Sequence, residues 1–255
     1  MTGEIELAND ALRVTVLPEL GGKISRLESR ASGREWLWRN PHLPYRRAER
    51  GDSYVALHDT GGIDECFPEV HGEVFGRPWS LEPEGAALAF VAAGYRLERA
   101  MRLRGAALEL DYALENRSER ELSFVWCLHA LLALEPGMRL ELPGGVEIVP
   151  GPERRFAEKR FVRPLPSGGE VALRTADGHE ALVFRFDPRE VPFVGIWQNY
   201  GRWSGAGTAP YFNLGIEPSI GDADSLANAR ARGTAGLLAP RARRTWRVAL
   251  EVTSP

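Results

Sequence analysis

Residues 212–226, FNLGIEPSIGDADSL, place one carboxylate in an otherwise apolar run. With the two-residue period of a β-strand, Phe212, Leu214 and Ile216 point to one face and Glu217 points to the other. Because proline has no backbone N–H, we expect the strand to stop at Pro218. The pattern predicts Glu217 as a rigidly held carboxylate at a strand end, suited to proton transfer. A surface carboxylate, or one paired with an arginine, is the alternative.

Two of the five histidines are candidates for the same chemistry. His129 lies in the apolar stretch SFVWCLHALLAL, on the same predicted face as Val125 and Cys127. An imidazole in such a strand needs a hydrogen-bond partner or a catalytic role, and a satisfied core histidine is the open alternative. His71, in EVHGEVFGRPW, is predicted in a loop that enters a strand, where ligand contacts are common; an exposed loop histidine is the alternative. A carboxylate and an imidazole that meet in one cleft are suited to general acid–base catalysis.

Other catalytic or cofactor motifs are missing from the sequence. There is no G-x-S-x-G elbow, no phosphate-binding Walker loop and no dinucleotide fingerprint. Acidic residues and histidines cluster between His58 and Glu73, but no H-x-H or H-E-x-x-H spacing is present. We therefore expect no metal and no other cofactor, and a metal-dependent β-barrel enzyme of the cupin type is the less favoured alternative.

Composition narrows the class of protein further. The chain has 255 residues, 44% of them hydrophobic, and a formal net charge of −3, which predicts a single domain over residues 1–255 and gives no electrostatic basis for binding nucleic acid or a membrane surface. Cys66 and Cys127 lie in apolar runs and are predicted to be buried free thiols in a reducing compartment. The N-terminal residues are too polar for a signal peptide, and we expect a cytoplasmic protein, monomeric or homodimeric.

Lysine is nearly absent from the chain. Lys23 and Lys159 are the only lysines among 32 basic residues. We interpret this as coding bias, which also makes a Schiff-base mechanism less favoured.

The elements that must position these residues are β-strands. Residues 108–114 and 246–252 alternate apolar and other residues with period two, and turn signals separate such runs. The chain contains 27 Gly and 18 Pro, and no long window has a helical period. The fold class predicted is an all-β antiparallel sandwich or barrel, with the doubly apolar segment 124–134 as a central strand. The segment GRWSGAGTAP, from Gly201, is predicted to be a mobile loop beside a site.

Five segments in order resemble the aldose 1-epimerase, or galactose mutarotase-like, family. They are VTVLPELGGKISRLESRASGREWLW, GGIDECFPEV, VHGEVFGRPW, LDYALENRSERELSFVWCLHALLAL and GIEPSIGDADSL. The resemblance covers most of the chain and implies a large β-sandwich of the supersandwich type. It also implies a mechanism: Glu217 takes the proton from the anomeric hydroxyl, His129 protonates the ring oxygen, and His71 binds the sugar.

The resemblance has departures that bear on the substrate. The segment DECFP stands where mutarotases carry an asparagine–arginine pair, and the insert that precedes the histidine loop in the phosphate-specific branch is short here. The further sugar contacts that we predict are Asp64, Glu65, Arg77, Trp197 and Gln198. The acidic pair favours a free sugar, with a hexose 6-phosphate as an alternative if an arginine such as Arg77 or Arg46 reaches the pocket. A non-catalytic carbohydrate-binding protein is the remaining alternative.

Overall fold

Alternating apolar residues form β-strands along most of the chain. The structure is a computed structural model that describes residues 3–49, 51–83, 86–163, 168–205 and 209–254. Over these residues the strands are β1 Ile5–Ala8, β2 Leu12–Leu17, β3 Lys23–Ser29, β4 Arg34–Glu35, β5 Gly62–Cys66, β6 Ser80–Leu81, β7 Ala87–Val91, β8 Tyr95–Arg104, β9 Ala107–Asn116, β10 Leu122–Phe124, β11 Trp126–Ala133, β12 Arg139–Leu142, β13 Gly145–Ile148, β14 Phe156–Val162, β15 Gly169–Arg174, β16 Ala181–Phe186, β17 Phe193–Tyr200, β18 Phe212–Ile220, β19 Gly236–Leu238 and β20 Arg243–Thr253.

Among the described residues, helical structure is limited to short pieces. They are a 3₁₀ turn at Pro18–Leu20, a π-helical turn at Tyr54–His58 and one α-helix, α1, at Leu226–Ala231. Part of the loop predicted from Gly201, at 206–208, lies outside the described residues.

Two large antiparallel sheets pack face to face, which confirms the predicted sandwich. The first has the order β1-β2-β3-β5-β11-β18-β17-β14, with β4 beside β3, and the second has the order β13-β12-β15-β16-β20-β9-β8-β7-β6. A short pair, β10 and β19, lies apart from both. Within the described residues no helix is long and apolar enough to cross a membrane.

The core between the sheets is filled by alternate residues of the longer strands. Leu128, Ala130 and Leu132 of β11 belong to this core, as do the predicted apolar faces of β9 and β20. Tyr112 of β9 and Trp246 of β20 stack at 5.3 Å between ring centroids, and Trp126 of β11 contacts both rings edge-on. The intervening residues of β11 therefore face away from the second sheet, toward a layer of loops, and β11 is central as predicted.

Strand β18 differs from the sequence-based prediction. It continues through Pro218 to Ile220, so Glu217 lies inside the strand and not at its end. Pairing with β17 runs across the proline, at Val194↔Pro218 and Gly195↔Glu217. The strand survives because the second neighbour, β11, is paired on both sides of this position, at Cys127↔Ser219 and Ala130↔Ile216. The consequence is that the carboxylate of Glu217 is fully buried.

One buried ion pair lies inside the core. Arg99 Nη1 of β8 donates to Glu65 Oε1 of β5 at 2.8 Å, and both side chains are 0% exposed. Tyr112 and Trp126 donate further hydrogen bonds to the same carboxylate. Because its oxygens are satisfied by three donors from three strands, this carboxylate links the two sheets.

We expect Arg99→Met to lower the free energy of unfolding by about 3–5 kcal/mol, because the variant leaves the Glu65 charge buried without a cation. The control is Arg102→Met on the same strand, whose side chain is 55% exposed and pairs with Asp111 at the surface. Its loss should be about 1 kcal/mol or less. Urea denaturation of both variants measures the difference, and equal losses would contradict this account of the core.

Candidate functional site

A row of polar side chains crosses the outer face of the first sheet. His129 of β11 is paired with Asp64 of β5. The register Ala130↔Ile216 puts His129 beside Glu217 of β18, and the register Ile24↔Ile63 puts Lys23 of β3 beside Asp64. In this row His129 Nε2 lies 3.7 Å from Glu217 Oε1. The sequence-predicted carboxylate and imidazole therefore meet, although 88 positions separate them in the chain (217 − 129).

Each buried carboxylate of the row has a lysine partner. Lys23 Nζ lies 2.6 Å from Asp64 Oδ2, and Lys159 Nζ of β14 lies 2.7 Å from Glu217 Oε2. Lys159 also contacts Asp224 at 2.7 Å, at the rim. The only two lysines of the chain are thus both in this site. Our interpretation of their rarity as coding bias did not predict this position. Their rarity among so many arginines is the signal that the sequence offered.

Two glycines give the Glu217 carboxylate its space. Gly195 is opposite Glu217 on β17, and a Cβ there would lie 3.1 Å from Glu217 Oε2 and 3.5 Å from Lys159 Cε. A Cβ on Gly215 would lie 2.7 Å from Glu217 Oε1 and 2.9 Å from Trp197 Cβ. Side chains at these positions would obstruct the lysine contact and the carboxylate itself.

A tyrosine and a second histidine cover the row. Tyr54, from the π-helical turn, stacks on the ring of His71 at 3.6 Å between centroids. Its hydroxyl lies 3.0 Å from Asp64 Oδ2 and 3.4 Å from His129 Nδ1. His71 Nε2 lies 3.3 Å from His129 Nε2. Single-turn π-helices are frequent at functional sites, but the sequence carried no signal that singled out Tyr54.

His71 adopts a backbone conformation that is unusual for its residue type. Its φ is +54°, in the left-handed region that disfavours residues with a Cβ. Such strain persists only where the surroundings hold the residue in place, and it is concentrated at functional sites. The stacking on Tyr54 and the contact with His129 are the interactions that hold the ring.

Burial and charge fix the protonation of the site. Burial, with Lys159 and Lys23 adding to it, holds the pKa of His129 well below its ordinary value of 6.5. Burial and the neighbouring His129 do the same to the pKa of His71. Burial works to lower the pKa of Lys159, but Glu217, Cys127 and Asp224 outweigh it and the pKa is raised. Burial and Asp64 raise the pKa of Tyr54 well above 10.0. At neutral pH both imidazoles are therefore neutral, Lys159 is charged and Tyr54 keeps its proton.

Glu217 is bonded on one side only. Oε2 forms an ion pair with Lys159 Nζ and accepts a hydrogen bond from the thiol of Cys127, whose Sγ lies 3.6 Å away. Oε1 has no hydrogen-bond donor among the described residues, although it is buried. A buried oxygen without a partner is rare in proteins and is suited to receiving a proton from a bound molecule.

Two further predicted sugar contacts, Trp197 and Arg77, are each placed with a residue of the site. Trp197 is on the Glu217 face of β17 and contacts Trp203 at 6.2 Å between ring centroids. Arg77 lines a cavity of about 570 Å³ together with His71, although Arg77 is paired with Glu73 at 3.7 Å. Of the site residues described above, His71 alone lines this cavity.

Two predicted contacts do not reach the site. Glu65 follows Asp64 in β5, so alternation turns it into the core, where Arg99 binds it. Gln198 is next to Trp197 and faces the same way as Leu214, with its amide bonded to Glu147 and Tyr200. These placements correct our prediction of Glu65 and Gln198 as sugar contacts.

Cys66 and Cys127 are buried free thiols, as predicted. They lie opposite each other in the register that pairs β5 with β11. In the described part of the chain no group of three or more His, Cys, Asp or Glu residues has an arrangement that could hold a metal ion.

Comparison with known proteins identifies the fold through solved structures and not through sequence relatives. A family model described as a domain of unknown function, DUF5107, matches residues 3–85. No curated protein sequence matches the chain.

A solved galactose mutarotase related enzyme from Lactobacillus acidophilus is 15% identical, with a TM-score of 0.76 over 99% of this chain and 98% of that one. A provisionally named aldose 1-epimerase from Klebsiella pneumoniae is 17% identical, with a TM-score of 0.75 over 96% of this chain and 77% of that one. A galactose mutarotase-like protein from Clostridium acetobutylicum is 12% identical, with a TM-score of 0.70 over 99% and 95%.

The chain therefore has the galactose mutarotase-like fold, which confirms the resemblance seen in the sequence at the level of architecture. What the row of polar residues does is a separate question, because identities this low carry the fold and not the activity.

We expect Lys159→Met to lower the free energy of unfolding by about 3–5 kcal/mol near neutral pH, because it leaves the Glu217 charge buried without a cation. The loss should shrink as the pH is raised above the ordinary lysine value of 10.5. The pKa of Lys159 is raised, so its stabilisation is fully present below that value and is lost only at higher pH.

Urea denaturation of wild type and Lys159→Met at about pH 7 and at about pH 11 measures this effect. Lys159→Arg is the matched variant, since it keeps a cation at this position. A loss in Lys159→Met that is independent of pH would show that packing, and not charge, is what the lysine contributes.

Proposed function

We propose that the protein is an aldose 1-epimerase that interconverts the α and β anomers of a free sugar. The observation that carries the proposal is the approach of Glu217 Oε1 and His129 Nε2 to 3.7 Å on one face of one sheet. The kinship of fold with a galactose mutarotase related enzyme supports the same class of reaction.

The proposed reaction needs one base and one acid. Glu217 Oε1 takes the proton from the anomeric hydroxyl O1, the C1–O1 bond becomes a carbonyl, and the bond from C1 to the ring oxygen breaks. His129 Nε2–H gives its proton to the ring oxygen as that bond breaks. Rotation about C1–C2 presents the other face of the aldehyde, and the two proton transfers run in reverse as the ring closes. His71 and Trp197 are proposed to bind the sugar, His71 through its ring nitrogen and Trp197 through its apolar face.

The charge of the site favours an uncharged sugar. Lys23 and Lys159 are already neutralised by Asp64 and Glu217. The nearby arginines are also paired, Arg46 with Asp52 and Arg77 with Glu73, each at 3.7 Å. A phosphate group would have to displace a carboxylate from one of these cations, so the hexose 6-phosphate alternative has less support.

We expect Glu217→Gln to abolish catalysed interconversion while it leaves sugar binding nearly intact. The amide keeps the size of the carboxylate and some of its hydrogen bonds, but it cannot accept the O1 proton. The catalysed rate should fall by about 10²–10⁴-fold, to the rate of buffer alone.

His129→Asn should do the same, and the two losses should not add, because acid and base serve one step. Calorimetric titration and polarimetry of freshly dissolved α-anomers of several hexoses and pentoses measure binding and rate.

The matched control is Glu180→Gln. Glu180 is also a buried glutamate, bonded to Ser29 and Ser32, but it belongs to another part of the fold. It should keep full activity. Sugar binding by the wild type without any rate above buffer would identify a non-catalytic carbohydrate-binding protein, and full activity in Glu217→Gln would mean that another carboxylate is the base.

The rate should also depend on pH through His129. The acid form is the imidazolium, and because the pKa of His129 is held below 6.5, its population falls steadily as the pH rises through neutrality. We therefore expect kcat/KM above the buffer rate to increase as the pH is lowered from about 8 to about 6. The titratable and charged groups around this imidazole are Lys23, Tyr54, Asp64, His71, Lys159 and Glu217. A rate that falls over the same interval would assign His129 as the base instead.

A further inference from the structure

The hydrogen bonds around His129 form a directed chain. Lys23 Nζ donates to Asp64 Oδ2 at 2.6 Å and to the carbonyl of Gly61 at 2.7 Å. Tyr54 Oη lies 3.0 Å from the same carboxylate oxygen and 3.4 Å from His129 Nδ1. All four side chains are at least nine-tenths buried, so the protein and not bulk water satisfies these groups.

The chemistry of the partners decides where the protons lie. An ionised carboxylate can only accept hydrogen bonds, and the carboxylate of Asp64 forms a salt bridge with Lys23 at 2.6 Å. The single hydroxyl proton of Tyr54 must therefore point to Asp64. The tyrosine oxygen then has only lone pairs to offer to His129, so Nδ1 of His129 must carry the hydrogen and donate it.

We propose that Tyr54 and Asp64, with Lys23, are positioning residues that fix the proton of neutral His129 on Nδ1 and leave Nε2 as the atom that gains and loses a proton. This inference rests on the proposed function for its catalytic meaning, but the proton position itself does not depend on turnover. In the imidazolium form the Nδ1–H still donates to Tyr54, so the added proton is always the one on Nε2.

The position of that proton matters because Nε2 is the ring atom that faces Glu217, 3.7 Å from Oε1. A neutral imidazole with its hydrogen on Nε2 is a very weak acid there, and it has no lone pair to take the proton back when the ring closes. A carboxylate that fixes the tautomer of a catalytic histidine is known to be essential in serine proteases, where the wrong tautomer lowers kcat by about 10⁴-fold. Here a tyrosine stands between the carboxylate and the ring.

His71 fits the same arrangement. Its Nε2 lies 3.3 Å from His129 Nε2, which is the unprotonated atom in this scheme, so His71 is the donor of that hydrogen bond. Its hydrogen is then directed to the position where the proposed sugar oxygen would compete for it.

The test is the tautomer of His129 measured by long-range ¹H–¹⁵N correlation NMR on protein labelled at histidine. The chain has only five histidines, and the His129→Asn spectrum assigns the His129 signals by their loss. At about pH 8, where the imidazole is neutral, we expect an Nδ1–H, Nε2-unprotonated ring. An Nε2–H tautomer in the wild type would overturn the proposal without any variant.

Tyr54→Phe removes the hydroxyl and keeps the ring that stacks on His71. We expect its His129 to populate the Nε2–H tautomer, and kcat to fall by about 10²-fold or more with KM changed by about threefold or less. The matched control is Tyr112→Phe. Tyr112 also donates to a buried carboxylate that is paired with a buried cation, but on the core side of the sheet, at 2.7 Å from Glu65.

Tyr112→Phe should leave both the His129 tautomer and kcat unchanged. A Tyr54→Phe protein with the wild-type tautomer would contradict the proposal, as would a tautomer change of the same size in Tyr112→Phe. If the tautomer behaves as expected and no sugar is interconverted, the positioning role is retained and the proposed function is the part that fails.

Discussion

The structure depends on how adjacent carboxylates in one strand are kept charged inside a protein. Asp64 and Glu65 follow each other in β5, and the pleat of the strand sends them to opposite faces of the first sheet. Each is fully buried or nearly so, and each has a cation of its own, Lys23 on the outer face and Arg99 in the core. Burying an ion without such a partner costs several kcal/mol, so neither face tolerates the loss of its cation.

The two ion pairs have different consequences because their surroundings differ. The core pair is closed: Tyr112 and Trp126 complete the hydrogen bonds of Glu65, and the arrangement ties the sheets together. The outer pair is connected to a further residue, because the hydroxyl of Tyr54 contacts both Asp64 and His129. The same elements, a carboxylate, a cation and a tyrosine, thus stabilise the fold on one side of the sheet and orient an imidazole on the other.

Most of the site lies below the surface. Glu217, His129, Asp64 and Tyr54 are all buried, whereas Lys159, Trp197 and His71 keep part of their surface. Lys159, Trp197 and His71 therefore mark the open side of the site, and of these three only His71 lines the cavity that Arg77 also lines. Burial strengthens the interaction between each carboxylate and its lysine, and it holds the imidazoles neutral.

The alternation of apolar residues predicted an antiparallel sandwich or barrel, and the resemblance to the mutarotase-like family selected the sandwich. Alternation identified the core faces of β9 and β20 and the shared face of His129 and Cys127, and the doubly apolar run indicated the central position of β11. Alternation also led to Glu217, although the proline after it was expected to end the strand and does not. The prediction of site residues failed at Glu65 and Gln198, because the alternation of side chains along a strand was not applied there. Glu65 and Gln198 each neighbour a residue on the site face, and consecutive positions in a strand cannot share a face.

The sequence by itself therefore determined what is local: which segments are strands, which residues share a face, and which few side chains are suited to proton transfer. Only the tertiary structure decided which strands are neighbours and in what register, because that depends on contacts between residues far apart in the chain. Tyr54 and His129 are 75 positions apart, and Cys127 and Glu217 are 90 apart. The pairing of each lysine with a carboxylate, and the tyrosine that links Asp64 to the imidazole, arise from packing across several strands and a loop, and no periodicity in the sequence encodes them.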